Sequence, residues 1–408
     1  MADVKTSRIF SEFNRVVSGM RPTGPLHLGH YYGVLKNWIK LQHEYDCFFF
    51  VADWHALTTH YDNSYEIEQY VWDMVIDWLA CGINPNACKI FIQSRIPEHA
   101  ELHILLSMIT PLGWLERVPT YKDQQEKLKE RDLATYGFLG YPLLQSADVL
   151  AYKAGYVPVG EDQISHIELT REIARRFNHL YGKEKDFEQK VQASLAKMGR
   201  KKAKIYLDYL KHFQEMGILE ALEKGQALIA QGNLPLGDRE RLYGYLEGRG
   251  KMILPEPKPL LTPHSKFPGL DGQKMSKSYG NTIAIREKPE IIETKIRVMP
   301  TDPARVRRSD PGNPEKCPVW SLHKIYNNEV VQNWVWEGCT TAGIGCIECK
   351  KALSDAIIKE QQPILERAQE YENNPSLVKE IVRTGCEAAG AIARETLDEI
   401  REAMGLPH

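Results

Sequence analysis

The sequence predicts an α/β protein built on a parallel sheet, followed by a helical insertion and an all-helical C-terminal region. Three observations predict this fold class. Between Arg15 and Arg176, apolar runs of strand length alternate with segments of helical periodicity, which is the pattern of a parallel sheet covered by helices. From 185 to 250 the composition becomes charged and helical, and beyond Pro303 a helical pattern continues to the end. Ligands of such sheets bind beyond the carboxyl ends of the strands.

The individual elements follow from apolar runs and the residues that punctuate them. The sequence predicts strands at 16–19, 47–52, 89–93 and 156–159, and helices at 26–44, 64–80, 141–152 and 166–178. Ser64 is expected to begin its helix, Gly82 to follow the end of that helix, and Pro97 to open the next one. Pro142 is expected in the first turn of the helix at 141–152.

Composition sets limits on the class of protein. The 408 residues allow two or three domains, and 43% hydrophobic with 26% charged residues is typical of a soluble globular enzyme. The amino terminus lacks an apolar stretch, and no window approaches the roughly 18 uncharged apolar residues of a membrane span. We therefore expect no membrane association and a cytoplasmic location. A net charge of -2 means that any RNA contact must come from local basic patches.

A glycine-rich turn, GMRPTGPLHLGH at 19–30, connects the first predicted strand to the first predicted helix. Its glycines allow the backbone to approach a ligand, and the N–H groups at a helix start attract an anion. His27 and His30 are three residues apart, so they share a helix face and can both donate to a triphosphate. The turn predicts a phosphate site; the alternative is a loop whose histidines are incidental.

A second candidate phosphate site is the segment DGQKMSKS at 271–278, where Lys274 and Lys277 carry ammonium groups three residues apart. A mobile loop of this kind can close over a pyrophosphate leaving group. Its cations then stabilise the charge that develops when the α-phosphate is attacked. An exposed basic loop is the alternative for any lysine pair, but the upstream HxGH turn favours nucleotidyl transfer.

Together, the HxGH turn and the KMSKS loop resemble the signature motifs of the class I aminoacyl-tRNA synthetases, and both motifs are complete. The resemblance implies a Rossmann-like catalytic domain, use of ATP with Mg²⁺, and a C-terminal helical domain that binds the anticodon. Two other classes are alternatives. A small-molecule nucleotidyltransferase can share HxGH but does not require the long helical tail, and a non-catalytic RNA-binding paralogue has no use for two intact phosphate motifs.

The segment at 141–152 is a candidate for amino-acid recognition. Tyr141, Gln145, Asp148 and Tyr152 recur at steps of four, three and four, which places a polar stripe along an otherwise apolar helix. Such a stripe lines a pocket or, alternatively, faces solvent. A buried carboxylate needs a donor, and an indole N–H only donates. Asp162, beyond the predicted strand at 156–159, is well placed to accept from ribose hydroxyls.

The segments VPVGEDQ at 157–163 and HIELTR at 166–171 resemble tryptophanyl-tRNA synthetases far more than their tyrosyl relatives. By motif position, the resemblance implies that Asp148 accepts the indole N–H. It implies that the remaining tryptophan contacts are Val17, His55, Tyr141, Gln145, Val157, Val159 and Gln163, of which Tyr141, Gln145 and Gln163 hold the ammonium group. The implied ATP contacts are Gly19, Arg21, Thr23, Gly29, Gly160, Asp162 and Ser278, with His27, His30, Lys274 and Lys277 as catalytic groups.

Two positions depart from the family pattern. Gln145 stands where bacterial relatives often carry methionine, and Gln124 stands where they use a lysine near the triphosphate, a role for which Lys122 is the candidate substitute. A tyrosyl enzyme, which needs partners for a phenol, is the remaining alternative within the class. A buried acceptor matched to one donor rejects analogues that lack the donor, so no editing domain is required.

Four cysteines, Cys317, Cys339, Cys346 and Cys349, crowd into the predicted C-terminal helical region. Four thiolates suit zinc or an iron-sulfur cluster, and unliganded thiols are the third possibility. Pro318 follows Cys317 as a proline follows the last cysteine of ferredoxin motifs. The pattern resembles the subset of tryptophanyl-tRNA synthetases with a 4Fe-4S cluster, which implies a cluster that holds together helices near Arg305, Arg307 and Arg308.

The sequence thus predicts four parts: a catalytic domain at 1–184, a helical insertion at 185–250, the KMSKS loop and linker at 251–300, and an anticodon-binding domain at 301–408. The basic residues at 200–204 are interpreted as a solvated face, and the insertion is given no function. The resemblance implies L-tryptophan and tRNA(Trp) as partners and a homodimer as the assembly.

Overall fold

The computed structural model describes residues 14–62, 64–118, 135–261 and 267–407. Within them, five parallel strands form one sheet in the order β3-β2-β1-β4-β5. The strands are β1 (Arg15–Met20), β2 (Asp46–Val51), β3 (Cys88–Ile92), β4 (Tyr156–Val159) and β5 (Lys258–Leu261). With helices on both faces, the sheet confirms the predicted Rossmann-like α/β fold and its helical C-terminal part.

The predicted strands are confirmed to within about two residues, and β5 was not predicted. β5 lies in a proline-rich stretch, pairs with β4 and includes Pro259. It is the last strand in the sheet order, and an edge position tolerates a proline because one side of the strand needs no donor.

Helices in the first half connect and cover these strands. They are α1 (Leu28–His30), α2 (Lys36–Leu41), α3 (Asp53–His60), α4 (Ile67–Cys81), α5 (Glu98–Ser107), α6 (Leu112–Glu116), α7 (Tyr136–Leu150) and α8 (Ile164–Tyr181). A π-helical segment, Tyr31–Leu35, joins α1 to α2, so the predicted helix at 26–44 is in fact three consecutive pieces.

Two predicted helix starts are wrong, whereas one predicted end is confirmed. Helix α4 begins at Ile67 rather than at Ser64, which offers only its carbonyl to the Ile67 N–H. Helix α7 begins at Tyr136, where the Thr135 side chain accepts from the Phe138 N–H, so Pro142 lies inside the helix instead of in its first turn. Gly82 ends α4 at φ 111°, as the pattern predicts.

The remaining helices are α9 (Phe187–Met198), α10 (Arg200–Met216), α11 (Leu219–Ala230), α12 (Leu236–Leu246), α13 (Pro289–Val298), α14 (Pro318–Tyr326), α15 (Glu329–Thr340), α16 (Cys346–Glu372) and α17 (Pro375–Met404). Helices α9 to α12 enclose a hydrophobic cluster of their own. That cluster supports the insertion at 185–250 as a unit, while the four domain boundaries stay predictions.

The sheet separates two hydrophobic clusters. One contains Phe48, Phe91, Tyr152 and residues of α17, and the other contains Trp38, Phe49 and Trp78. Helix α17 therefore packs back onto the first half of the chain. Within the described ranges, no helix combines the length and apolar character that crossing a bilayer requires.

Candidate active site

A crevice opens between β1 and β4, where the strand order changes direction. β1 pairs with β2 along its whole length but with β4 at Val16 and Tyr156. The two strands therefore diverge toward their carboxyl ends, and a cavity of about 340 Å³ occupies the space between them. Ligands of open α/β sheets bind at this switch point.

All eight side chains predicted to contact tryptophan line this cavity: Val17, His55, Tyr141, Gln145, Asp148, Val157, Val159 and Gln163. Gly19, Arg21 and Gly160, predicted to contact ATP, line it as well. A Cβ at Gly19 would lie 2.4 Å from the Phe50 ring, so this position of β1 requires glycine. The structure thus brings the two predicted sets together in one cavity.

Asp148 is the buried carboxylate of the cavity, with 1% of its surface exposed. Its Oδ2 lies 2.7 Å from His55 Nε2, and its Oδ1 lies 2.6 Å from His99 Nδ1 and accepts from Gln93 Nε2 at 2.8 Å. Burial by itself raises the pKa of this carboxyl, but the contacts with His55 and His99 hold the pKa well below its usual range. Asp148 is therefore ionised at neutral pH.

Gln93 and His99 were not predicted. Gln93 directly follows β3, and its polar side chain at the carboxyl end of a strand is a signal that the sequence offered. His99 lies in the first turn of α5, and nothing in its local sequence distinguishes it from an ordinary helix residue. Both side chains are fully buried and reach Asp148 through tertiary contacts.

The HxGH turn places its two histidine rings together, with centroids 3.8 Å apart. Burial, followed by the nearby charge of Lys277, lowers the pKa of His27 to about 4. Burial, followed by the neighbouring His27, Lys277 and Lys274, holds the pKa of His30 well below its usual value. Both rings are thus neutral at pH 7. The backbone N–H of His27 donates to His30 Nδ1, so in the neutral His30 ring Nε2 carries the proton and can donate to a ligand.

The KMSKS loop lies against the same turn. Lys277 Nζ donates to the Gly24 carbonyl at 2.8 Å, and Met275 is buried in the cluster that includes Leu28. The Leu28 N–H donates to the carbonyl of Ile283, which follows the KMSKS loop, so a backbone hydrogen bond also connects the HxGH turn to the segment after the loop. Burial lowers the pKa of Lys277 to about 8.

The other predicted ATP contacts lie outside the cavity lining. Asp162 is exposed and accepts from the Gln163 side chain, and the Ser278 hydroxyl lies 3.1 Å from that of Ser276. Gly29 lies beneath the His27 ring, and the Thr23 N–H donates to the Arg21 carbonyl. Lys122 and Gln124 fall outside the described residues.

The four cysteines come from the ends of three helices. Cys317 precedes α14, Cys339 is near the end of α15, and Cys346 and Cys349 lie in the first turn of α16. The His323 ring contacts the Cys349 thiol at 3.3 Å. Burial, followed by the neighbouring Cys317, Cys339 and Cys346, raises the pKa of Cys349 to about 12. Even so, no group of three or more His, Cys, Asp or Glu side chains in the described residues is arranged to hold a metal ion.

A comparison of the whole chain with sequence families shows which family it belongs to. The family described as tRNA synthetases class I (W and Y) matches residues 11–208 and 240–362. The chain therefore belongs to the class I tRNA synthetases for tryptophan and tyrosine and, on the relatives below, to their tryptophan--tRNA ligase branch.

The similar proteins cover nearly the whole chain. The tryptophan--tRNA ligase of Ralstonia nicotianae is 64% identical over 97% of this chain and 99% of its own length, and that of Thermotoga maritima is 45% identical over 96% and 99%. The crystal structure of tryptophanyl-tRNA synthetase from Campylobacter jejuni complexed with ADP and tryptophan is 27% identical, with a TM-score of 0.73 over 96% of this chain and 100% of that chain. These relatives favour the tryptophanyl prediction over the tyrosyl alternative.

Proposed function

We infer that this chain activates L-tryptophan with ATP, releases pyrophosphate, and transfers the tryptophanyl group to the 3′-terminal adenosine of tRNA(Trp). The observation that carries the inference is the cavity, which contains a buried, ionised carboxylate and is bordered by the HxGH turn. The tryptophan--tRNA ligases that match nearly the whole chain support the same reaction.

The ring of tryptophan is recognised by the part of the cavity around Asp148. An indole N–H donates to the carboxylate, while Val17, Val157 and Val159 supply apolar walls. A ligand without a ring N–H leaves the buried carboxylate without that donor, which costs binding free energy. Tyr141, Gln145 and Gln163 line the cavity and hold the ammonium group.

The nucleotide occupies the mouth of the cavity beside the HxGH turn. Gly19, Arg21, Thr23, Gly29, Gly160, Asp162 and Ser278 are the proposed contacts, and His30 donates from Nε2. Lys277 exchanges its bond to the Gly24 carbonyl for a phosphate oxygen, and Lys274 approaches from the same loop. Mg²⁺ that is bound together with ATP would neutralise part of the phosphate charge.

Activation needs no side-chain base, because the tryptophan carboxylate is ionised at neutral pH and attacks the α-phosphorus directly. Positioning and charge stabilisation by His27, His30, Lys274 and Lys277 provide the catalysis. In the second step, the 2′-hydroxyl of the terminal adenosine attacks the carbonyl carbon of the adenylate, so that the tryptophanyl ester forms, the bond to the phosphate breaks and AMP leaves. The helices at 301–408 bind the anticodon, with electrostatic contacts and unstacked bases as the expected mode.

Amino-acid-dependent exchange of labelled pyrophosphate into ATP tests this function. We expect exchange with tryptophan and at most trace exchange with tyrosine, followed by charging of tRNA(Trp). Exchange that depends on tyrosine, or that proceeds without any amino acid, contradicts the proposal. Size-exclusion chromatography with light scattering tests the predicted homodimer in the same preparation. The cytoplasmic location stays a prediction.

We propose in addition that Cys317, Cys339, Cys346 and Cys349 hold a 4Fe-4S cluster, with zinc as the alternative. The four thiols lie at the ends of three helices, the other three cysteines are neighbours that raise the pKa of Cys349, and Cys317 and Cys349 pack against one hydrophobic cluster. Such a group, when bound, ties α14, α15 and α16 together and supplies no redox step. Anaerobic purification with iron, sulfide and zinc analysis tests the proposal. Four irons per chain with visible absorbance are expected, and stoichiometric zinc without iron contradicts it.

A further inference from the structure

A buried chain of hydrogen bonds connects Asp148 to two side chains that do not line the cavity. Tyr152 lies 2.6 Å from His99 Nε2, and His99 Nδ1 lies 2.6 Å from Asp148 Oδ1. Tyr152 and His99 each have 0% of their surface exposed, and neither borders the cavity. A ligand in the cavity therefore does not touch them, and their effect on it must pass through Asp148.

The chemistry of the three groups limits the directions of the hydrogen bonds between them. An ionised carboxylate only accepts, so His99 Nδ1 carries a proton. Burial, with the charge of Asp148, raises the pKa of the Tyr152 phenol well above its usual value, so the phenol keeps its proton. When the imidazole of His99 is neutral and carries its proton on Nδ1, Nε2 accepts, and the Tyr152 hydroxyl supplies that donor. The hydroxyl thus favours the tautomer of His99 that donates to Asp148.

The effect of these hydrogen bonds follows from a count of the acceptor positions of Asp148 that they occupy. A carboxylate offers about four acceptor positions. Oδ1 accepts from both Gln93 and His99, and Oδ2 lies against His55. Oδ1 is therefore saturated on its buried side, and the remaining acceptor position belongs to Oδ2, next to a side chain that lines the cavity.

We propose that His99 is a positioning residue that, with its tautomer held by Tyr152, orients Asp148 so that one acceptor direction on Oδ2 faces the ring N–H of the amino acid. The proposal rests on the inferred role of Asp148 in tryptophan recognition. It assigns specificity to two side chains that make no contact with the substrate.

The test compares tryptophan with β-(benzothienyl)alanine, in which sulfur replaces the ring N–H. The readout is the ratio of kcat/KM for the two amino acids in pyrophosphate exchange. The variants are His99→Leu, which removes the donor, His99→Asn, whose amide N–H can restore it, and Tyr152→Phe, which removes one hydroxyl. Asp148→Asn tests the underlying role separately.

We expect His99→Leu to lower the ratio about tenfold, through a higher KM for tryptophan, with kcat/KM for the benzothienyl analogue nearly unchanged. His99→Asn should recover most of the ratio, and Tyr152→Phe should lower it about threefold. An equal loss for both amino acids in His99→Leu, or, where that variant does not fold, an unchanged ratio in Tyr152→Phe, overturns the proposal. An unchanged ratio in Asp148→Asn overturns the recognition role itself, so the two failures are distinguishable.

Discussion

Asp148 is the residue whose substitution most directly tests ring recognition. Asp148→Asn keeps the side-chain shape but removes the charge and turns one acceptor into a donor that faces His55 or His99. A hydrogen bond to a charged group contributes about 1.5–3 kcal/mol, so we expect kcat/KM for tryptophan to fall about 10- to 100-fold. We expect the KM for ATP, measured in the same exchange assay, to change less than about twofold. A change in the KM for ATP as large as the change in kcat/KM for tryptophan contradicts the assignment.

Lys277 gives the site a pH dependence on the alkaline side. Its pKa is lowered to about 8 by burial, so the ammonium is present below pH 8 and is lost as the pH rises through that value. We expect kcat/KM for ATP, which reports the free enzyme, to fall above about pH 8. Lys277→Arg should move this decline upward, because a guanidinium stays protonated. A decline at the same pH in both proteins assigns it to another group.

The residues of the site differ in how readily they can be predicted from the sequence. Asp148 and the HxGH and KMSKS motifs could be predicted, because a charge inside an apolar helix and a glycine-rich turn are local signals. His99 could not, since its function depends on Asp148 and Tyr152, which are brought to it by packing of α5 against α7. All eight predicted tryptophan contacts thus line the cavity, whereas Tyr152, predicted in the same polar stripe as Asp148, lies behind the cavity against His99.

Among the elements, strands were predicted better than helix starts. A buried parallel strand is a short apolar run that ends where polar residues begin, and this signal is local. A helix start depends on which side chain reaches a free N–H: Thr135 does so for α7, and Ser64 does not for α4. The strand β5 was not predicted because Pro259 argues against a strand unless the strand lies at an edge.

One of the contacts of helix α17 with the sheet is made at a glycine, which makes the packing testable. A Cβ at Gly385 would lie 1.9 Å from the Ile90 carbonyl oxygen in β3, so Gly385→Ala must push the helix from the sheet. We expect a loss of stability of about 2 kcal/mol in urea unfolding. Gly390→Ala, in the same helix, meets only the flexible Arg394 side chain at 3.4 Å and should be neutral or slightly stabilising. Equal effects of both variants contradict the close contact.

At the scale of the whole molecule, distant parts of the chain meet at one buried ion cluster. Lys153, just after α7, contacts Glu240 of α12 and lies 2.5 Å from Glu399 of α17. Lys251 adds a second cation to Glu240 at 2.8 Å. The cluster therefore links the sheet region, the insertion and the C-terminal helix. No pattern in the sequence predicts it, because its members are up to 246 positions apart.

We expect removal of Lys153 to weaken the packing of the sheet region, the insertion and the C-terminal helix against one another. Lys153→Met leaves the buried Glu240 with Lys251 alone and Glu399 without its partner in this cluster, and breaking a buried ion pair costs about 3–5 kcal/mol. We expect a loss near 3 kcal/mol in urea unfolding, since Lys251 remains. Lys351→Met provides the matched control, because Lys351 also contacts two carboxylates, Glu293 and Asp355, but on the surface. Exposed ion pairs contribute at most about 1 kcal/mol, so we expect Lys351→Met to lose little unfolding free energy. If Lys153→Met loses no more unfolding free energy than Lys351→Met, the buried cluster does not hold the three regions together.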